Sequence, residues 1–244
     1  MPAWLVMWML AGGLFAASKL VTWWPARGDV AIGYLVAWPG MDPRAFAPGR
    51  RHAQRYEWIA AATKLTLGLL LLYGAARLFP NALVQAWVGG IGLVLSLHFG
   101  LFHMLALAWG VEPIMRSPMR AASLGEFWGR RWNLAFHELA VQLIYNRVRG
   151  RIGLAPAVLA TFLASGLVHD LVISVPARGG YGLPTLYFLL QGMAVILERR
   201  LRLGAGWVGR VRVALVAWLP ALILFHPWFM VNVMAPFMRA IGAL

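Results

Sequence analysis

Six long apolar runs limit what this chain can fold into. They are Trp4–Trp24, Trp58–Phe79, Leu83–Trp109, Leu154–Val175, Leu183–Leu197 and Val213–Phe229. Most approach the roughly 20 residues that a helix needs to cross a hydrocarbon layer about 30 Å thick. Inside lipid a backbone must satisfy its own hydrogen bonds, so runs of this length are expected as helices. No stretch alternates with period two, which argues against an outer-membrane barrel. The expected fold class is all-α: a polytopic transmembrane helical bundle of about six spans plus a re-entrant or interfacial helix. No Ser- or Pro-rich linker and no repeat divides the sequence, so residues 1–244 read as a single membrane-embedded domain. Met1–Leu5 carries no basic residue, and Lys19 and Arg27 mark the far end of the first run. That run is therefore expected to stay as a span and not to be removed as a secretory signal.

Charge supports the same reading. The net charge is +14, yet only 12% of residues are charged, about half the fraction usual in a soluble domain. The arginines lie in short connections between apolar runs, where they set orientation against a membrane. No basic face interleaved with aromatics occurs, so nucleic acid is not an expected partner. Arg27, Arg44, Arg50, Arg51 and Arg55 mark the first loop, and Arg116, Arg120, Arg130 and Arg131 the third. Basic residues return at Arg147, Arg149 and Arg151, and again from Arg199 to Arg212. If Trp132–Asn146 crossed the bilayer, two strongly basic loops would face opposite sides. That segment is short and contains Asn133, His137, Glu138 and Gln142, so it is read as re-entrant or interfacial, with both flanking loops cytosolic. The N-terminus is then expected on the non-cytosolic side. Cysteine is absent, which excludes disulfides and a thiol nucleophile and leaves the compartment open.

Ionisable and polar side chains inside apolar runs are costly and single out candidate sites. Lys64 lies near one end of its run, where its stem can snorkel. His98 and His103 are five apart, on different helix faces, and are read as hydrogen-bonded packing residues. Thr161, Ser165 and His169 are spaced by four and form one polar stripe on a helix. Gly166 beside them would let another helix or a ligand approach closely, and Asp170 adds a carboxylate. The alternative for this stripe is polar glue between helices. In Glu126–Glu138, Arg130, Asn133 and His137 would share one helix face. A solvated helix surface remains open there, although Phe127, Trp128, Trp132 and Phe136 make an ordinary loop a poor fit.

At these two clusters the sequence resembles the wax synthase branch of the membrane-bound O-acyltransferase superfamily. The resemblance rests on Ser123-Leu124-Gly125-Glu126-Phe127-Trp128-Gly129-Arg130-Arg131-Trp132-Asn133 and, further on, Ser165-Gly166-Leu167-Val168-His169-Asp170. The second motif departs from the more usual pattern, where Glu follows His. Tyr34–Asp42, Gly180–Glu198 and Phe225–Pro236 also look like bacterial members. The resemblance implies transfer of a fatty acyl group from acyl-CoA to the hydroxyl of a lipid acceptor, with a fatty alcohol as the signature acceptor. It implies His169 as general base and Asn133 as donor to the reacting carbonyl, both catalytic. Trp128, Arg130, Arg131 and Ser165 are expected to contact substrate, the arginine pair through phosphates of CoA, the alternative for that pair being orientation against the membrane alone. No metal and no cofactor are expected beyond acyl-CoA as co-substrate. The expected setting is integral and multi-pass, with a bacterial inner membrane preferred over endoplasmic reticulum. The oligomeric state is left open.

Three other readings compete. One is an intramembrane hydrolase using Ser165 with His169. A second is a metal enzyme using His137, Glu138, His169 and Asp170, although no HExxH-type spacing supports it. The third is a transport or assembly protein without catalysis.

Overall fold

The structure is a computed structural model that describes residues 1–30, 32–46, 52–204 and 206–244. Arg50 and Arg51 of the first basic loop lie outside the described residues. Every regular element among the described residues is helical. Five segments are long and apolar enough to cross a membrane: α1 (Ala3–Ala26), α2 (Arg55–Leu78), α3 (Ala82–Ala108), Leu154–Ala177 and Gly206–Leu224. The chain is thus an all-α, polytopic integral membrane protein. The expected sixth span, Leu183–Leu197, lies in the 18-residue helix Leu183–Arg200. It falls short in apolarity because Gln191 interrupts it and Glu198, Arg199 and Arg200 fill its last turn.

The contacts divide the chain into two compact units, Met1–Met115 with Met230–Leu244, and Arg116–Phe229. In the first unit, α2 and α3 pack through glycines. A Cβ on Gly68 would lie 2.5 Å from the Ser96 backbone nitrogen, and one on Gly100 2.8 Å from Leu65 Cα. Such small-residue contacts let backbones meet where lipid offers no hydrophobic drive to associate. His98 sits in a π-helical stretch of α3, Leu95–Leu101, with its ring edge-on to Phe102 at 5.3 Å. Its Nδ1 is buried without a hydrogen bond, so the packing role stands for His98 but the expected hydrogen bond at that nitrogen does not. Trp4 and Trp8 of α1 meet Phe237 at ring distances of 5.9 and 5.4 Å. Arg77 reaches the carbonyl oxygens of Gly242 and Ala243.

The second unit holds four main helices. They are α4 (Leu134–Ala140), continued by a π-helical turn Val141–Tyr145 and by Asn146–Ile152; α5 (Leu154–Ala177); α6 (Leu183–Arg200); and α7 (Gly206–Leu224). Gly153, with φ of 83°, makes the turn from the α4 continuation into α5. The expected re-entrant segment is therefore helical from Leu134 to Ile152, and its last turns carry Asn146, Arg147, Arg149 and Arg151. α5 and α6 pack against each other at Gly166, where a Cβ would lie 2.7 Å from Thr185 Cα, and at Gly192, where it would lie 3.1 Å from the Phe162 side chain. Gly166 does permit the close helix approach expected from the sequence.

Candidate active site

The aromatic-rich segment is held by burial. Phe127 is 2% exposed and stacks on Trp132 at 5.6 Å, while both rings meet Trp218 edge-on at 5.7 and 5.2 Å. Burying one such aromatic is worth roughly 1.5–3 kcal/mol, so this cluster anchors the motif to α7. Ser123 caps the short turn Leu124–Glu126 by accepting the Glu126 N–H at 3.0 Å. The Glu126 carboxylate accepts the Ala122 N–H at 2.8 Å and pairs with Arg131 at 2.6 Å. These contacts, the Ala122 N–H first, hold its pKa below the ordinary value against the opposing pull of burial. Buried Glu198 of α6 receives the N–H groups of Leu124 and Gly125 and an ion pair from Arg212 at 2.8 Å.

One helix face for Arg130, Asn133 and His137 is not what forms. The π-helical turn Phe127–Arg131 stops at Trp132, which is extended, and Asn133 has φ of 44° and ψ of 55°. A left-handed residue ends one helix before α4 begins, and Asn tolerates that conformation better than most side chains do. The Asn133 side chain does not cap α4. Helical periodicity does not carry across this break between Arg131 and Leu134.

The stripe on α5 does form. Thr161 Oγ1 donates to the Ala157 carbonyl at 2.8 Å, and Ser165 Oγ to the Thr161 carbonyl at 3.1 Å. Such bonds to the preceding turn satisfy a hydroxyl within its own helix. His169 Nδ1 lies 2.7 Å from the Ser165 carbonyl oxygen. A carbonyl can only accept, so Nδ1 carries the proton and Nε2 holds the lone pair. The imidazole is set against Phe188 of α6, with ring centroids 4.4 Å apart.

These elements enclose a cavity of about 330 Å³ lined by Trp128, Asn133, Ser165 and His169 among others. Its size is at the low end for small-molecule sites. His137 and Arg199 also line it, whereas Arg130 and Arg131 do not. His137 is half-buried, and burial pushes its pKa below the ordinary imidazole range. Arg131 is held by Glu126 and by its bond to the Arg116 carbonyl at 3.1 Å. Trp128 Nε1 donates to Gln191 Oε1 at 3.3 Å, and Gln191 Nε2 to the Val216 carbonyl at 2.7 Å.

Asp170 faces away from this chemistry. Oδ1 accepts from Ser174 Oγ and the Gly182 N–H, each at 2.8 Å, and Oδ2 from the Thr185 N–H at 3.0 Å and the Thr185 hydroxyl. Ser174 Oγ also lies 3.3 Å from Nε2 of fully buried His226, whose Nδ1 accepts the Phe229 N–H at 3.2 Å. The carboxylate thus ties the end of α5 to the start of α6 and does not orient His169. Gln191, Arg199 and His226 were not anticipated. Gln191 carried a signal, as a lone amide inside an apolar run, while Arg199 and His226 matter only through which helices meet.

Residues 111–190, which include Trp128, Asn133, Ser165 and His169, match the family described as membrane bound O-acyl transferase. Among curated proteins, the chain is similar to three from Arabidopsis thaliana. Probable long-chain-alcohol O-fatty-acyltransferase 7 is 33% identical over 153 residues, 55% of this chain and 44% of the relative. Probable long-chain-alcohol O-fatty-acyltransferase 2 is 38% identical over 158 residues, 58% and 46% respectively. Probable long-chain-alcohol O-fatty-acyltransferase 9 is 39% identical over 103 residues, 38% and 30%. These alignments cover less than half the length of each relative. The region of the chain that is similar to the membrane bound O-acyl transferase family thus contains both the α5 stripe and the aromatic motif.

Proposed function

We propose that this chain is a membrane O-acyltransferase that moves a fatty acyl group from acyl-CoA to the hydroxyl of a lipid alcohol, with a fatty alcohol as acceptor. The observation that carries the reading is the His169 imidazole, proton-bearing at Nδ1 against Ser165 and basic at Nε2, on a cavity shared with Asn133 and Trp128. An alcohol is a poor nucleophile at neutral pH, so a base must take its proton as it attacks. Nε2 takes that proton while the alcohol oxygen bonds to the thioester carbonyl carbon. An Asn133 amide N–H donates to the oxygen that becomes negative. Collapse breaks the carbon–sulfur bond, and the leaving thiolate recovers the proton from His169. The products are an ester and free CoA, and no acyl-enzyme is formed. Trp128 and Ser165 line the same space and shape it.

The hydrolase alternative is disfavoured by one contact. Ser165 Oγ donates to Thr161, and His169 meets the Ser165 carbonyl and not its hydroxyl, so the base does not activate that serine. The relatives come from a plant and lend no support to a bacterial inner membrane, so the proposed setting is an integral membrane without a named organelle.

The test is product identification. Membranes with the full chain, given a labelled fatty acyl-CoA and a panel of alcohols, should form a labelled neutral ester with a long-chain alcohol. Release of free fatty acid alone, at a rate indifferent to alcohol, would replace this reading by the hydrolase.

A further inference from the structure

We infer that Arg199, and not the Arg130–Arg131 pair, is the cation that holds a phosphate of the acyl donor; this rests on the acyl-CoA reading above. Two arginines near the site are already committed. Arg131 is paired with Glu126 and Arg212 with Glu198. Arg199 is exposed and lines the cavity, and its guanidinium makes no hydrogen bond or ion pair among the described residues. Its neighbour Glu198 does not neutralise it, because that carboxylate is buried and occupied by Arg212 and two backbone N–H groups. A free guanidinium at a cavity wall offers planar, charge-assisted donors suited to phosphate.

Spacing supplies the second observation. Phe188, in ring contact with His169, and Arg199 both lie on α6 and both line the cavity. Eleven residues of helix separate them, a rise of about 16 Å. The arm of CoA from its sulfur to the nearest phosphorus is a chain of about thirteen bonds, which reaches about 15 Å when extended. A thioester beside His169 would therefore place its phosphates at the level of Arg199. Val195 and Val158 line the same wall towards Arg199, an apolar passage for the uncharged arm. The plain alternative is that Arg199 only complements the C-terminal end of α6 or orients it in the membrane, as Arg200 would.

The experiment compares two donors with the same thioester, acyl-CoA and the phosphate-free S-acyl-pantetheine, using full-length protein in membranes at matched levels. Wild type should show a KM for acyl-CoA at least about tenfold below that for acyl-pantetheine, as expected for a bond to a charged group. Arg199→Gln should raise the KM for acyl-CoA roughly tenfold and leave that for acyl-pantetheine within about twofold. Arg199→Lys, which keeps the charge and is a second route if the Gln variant accumulates poorly, should stay within about threefold of wild type on acyl-CoA. Arg200→Gln should change neither. Equal KM values for both donors in wild type would overturn the assignment. So would an equal rise on both donors in Arg199→Gln, or an Arg200→Gln variant that behaves like it. If wild type esterifies an alcohol with neither donor, the acyltransferase reading itself fails, which is a distinct result.

Discussion

Lys19 in the first unit and His169 in the second pose the same problem, an ionisable side chain in an apolar helix, and resolve it in opposite ways. Lys19 is 2% exposed, and its ammonium donates to the carbonyls of Tyr34 and Gly40 and sits 3.4 Å over the Tyr34 ring. Its donors are spent on the loop after α1, whose Tyr34 hydroxyl also meets Thr22 Oγ1 at 2.9 Å. His169 spends one nitrogen on its own helix and turns toward a cavity with the other still basic. A polar group in an apolar run thus marks chemistry only when the fold leaves part of its bonding capacity facing an open space. When all of it is consumed by backbone, the group is a tie. Asp170 repeats the lesson within the second unit, since its oxygens are filled by Ser174, Gly182 and Thr185 although it adjoins His169 in sequence.

The largest effect is expected from His169→Ala. It should lower acyl transfer by roughly 100- to 10,000-fold, the range for a general base, with membrane levels and thermal unfolding near wild type. Ser165→Ala, which keeps the backbone carbonyl that His169 uses, should retain most activity in the same assay. A dead Ser165→Ala enzyme would return the stripe to nucleophilic chemistry.

Asn133 allows backbone and side chain to be separated. Glycine accepts a φ of 44° and alanine resists it. Asn133→Gly should fold as wild type and lose roughly 100- to 1,000-fold in kcat, the loss typical of one oxyanion donor. Asn133→Ala should lose similar activity and also unfold at lower temperature by circular dichroism. If Asn133→Gly keeps full turnover, the residue matters for its conformation alone.

Lys19→Met is the smallest effect on chemistry and completes the contrast. Two buried carbonyls would lose a donor, at about 1–3 kcal/mol for each group left unsatisfied, so the melting temperature should fall clearly. The kcat per folded molecule should not change. A Lys19→Met protein of native stability but lost turnover would mean that Lys19 serves the reaction and that the contrast is wrong.

The amino-acid sequence is enough to mark a helical membrane chain, because run length, sparse charge and the lack of alternation leave a backbone in lipid no other way to satisfy itself. It also determined the α5 stripe, since a spacing of four maps onto one face of an unbroken helix and needs no information about neighbours. Contacts between distant residues set the rest. The sequence ran Arg130, Asn133 and His137 along one helix, but a left-handed Asn133 and the aromatic packing around Phe127 split it. It weighted Arg199 as mere topology, and only the packing of α5 against α6 at Gly166 and Gly192 brings it to the wall that His169 shares. It could not say that Asp170 is spent, because Thr185 and Gly182 reach it across a turn. Periodicity reports which residues share a face. Which face meets a partner, and which meets a cavity, depends on contacts between residues distant in the chain.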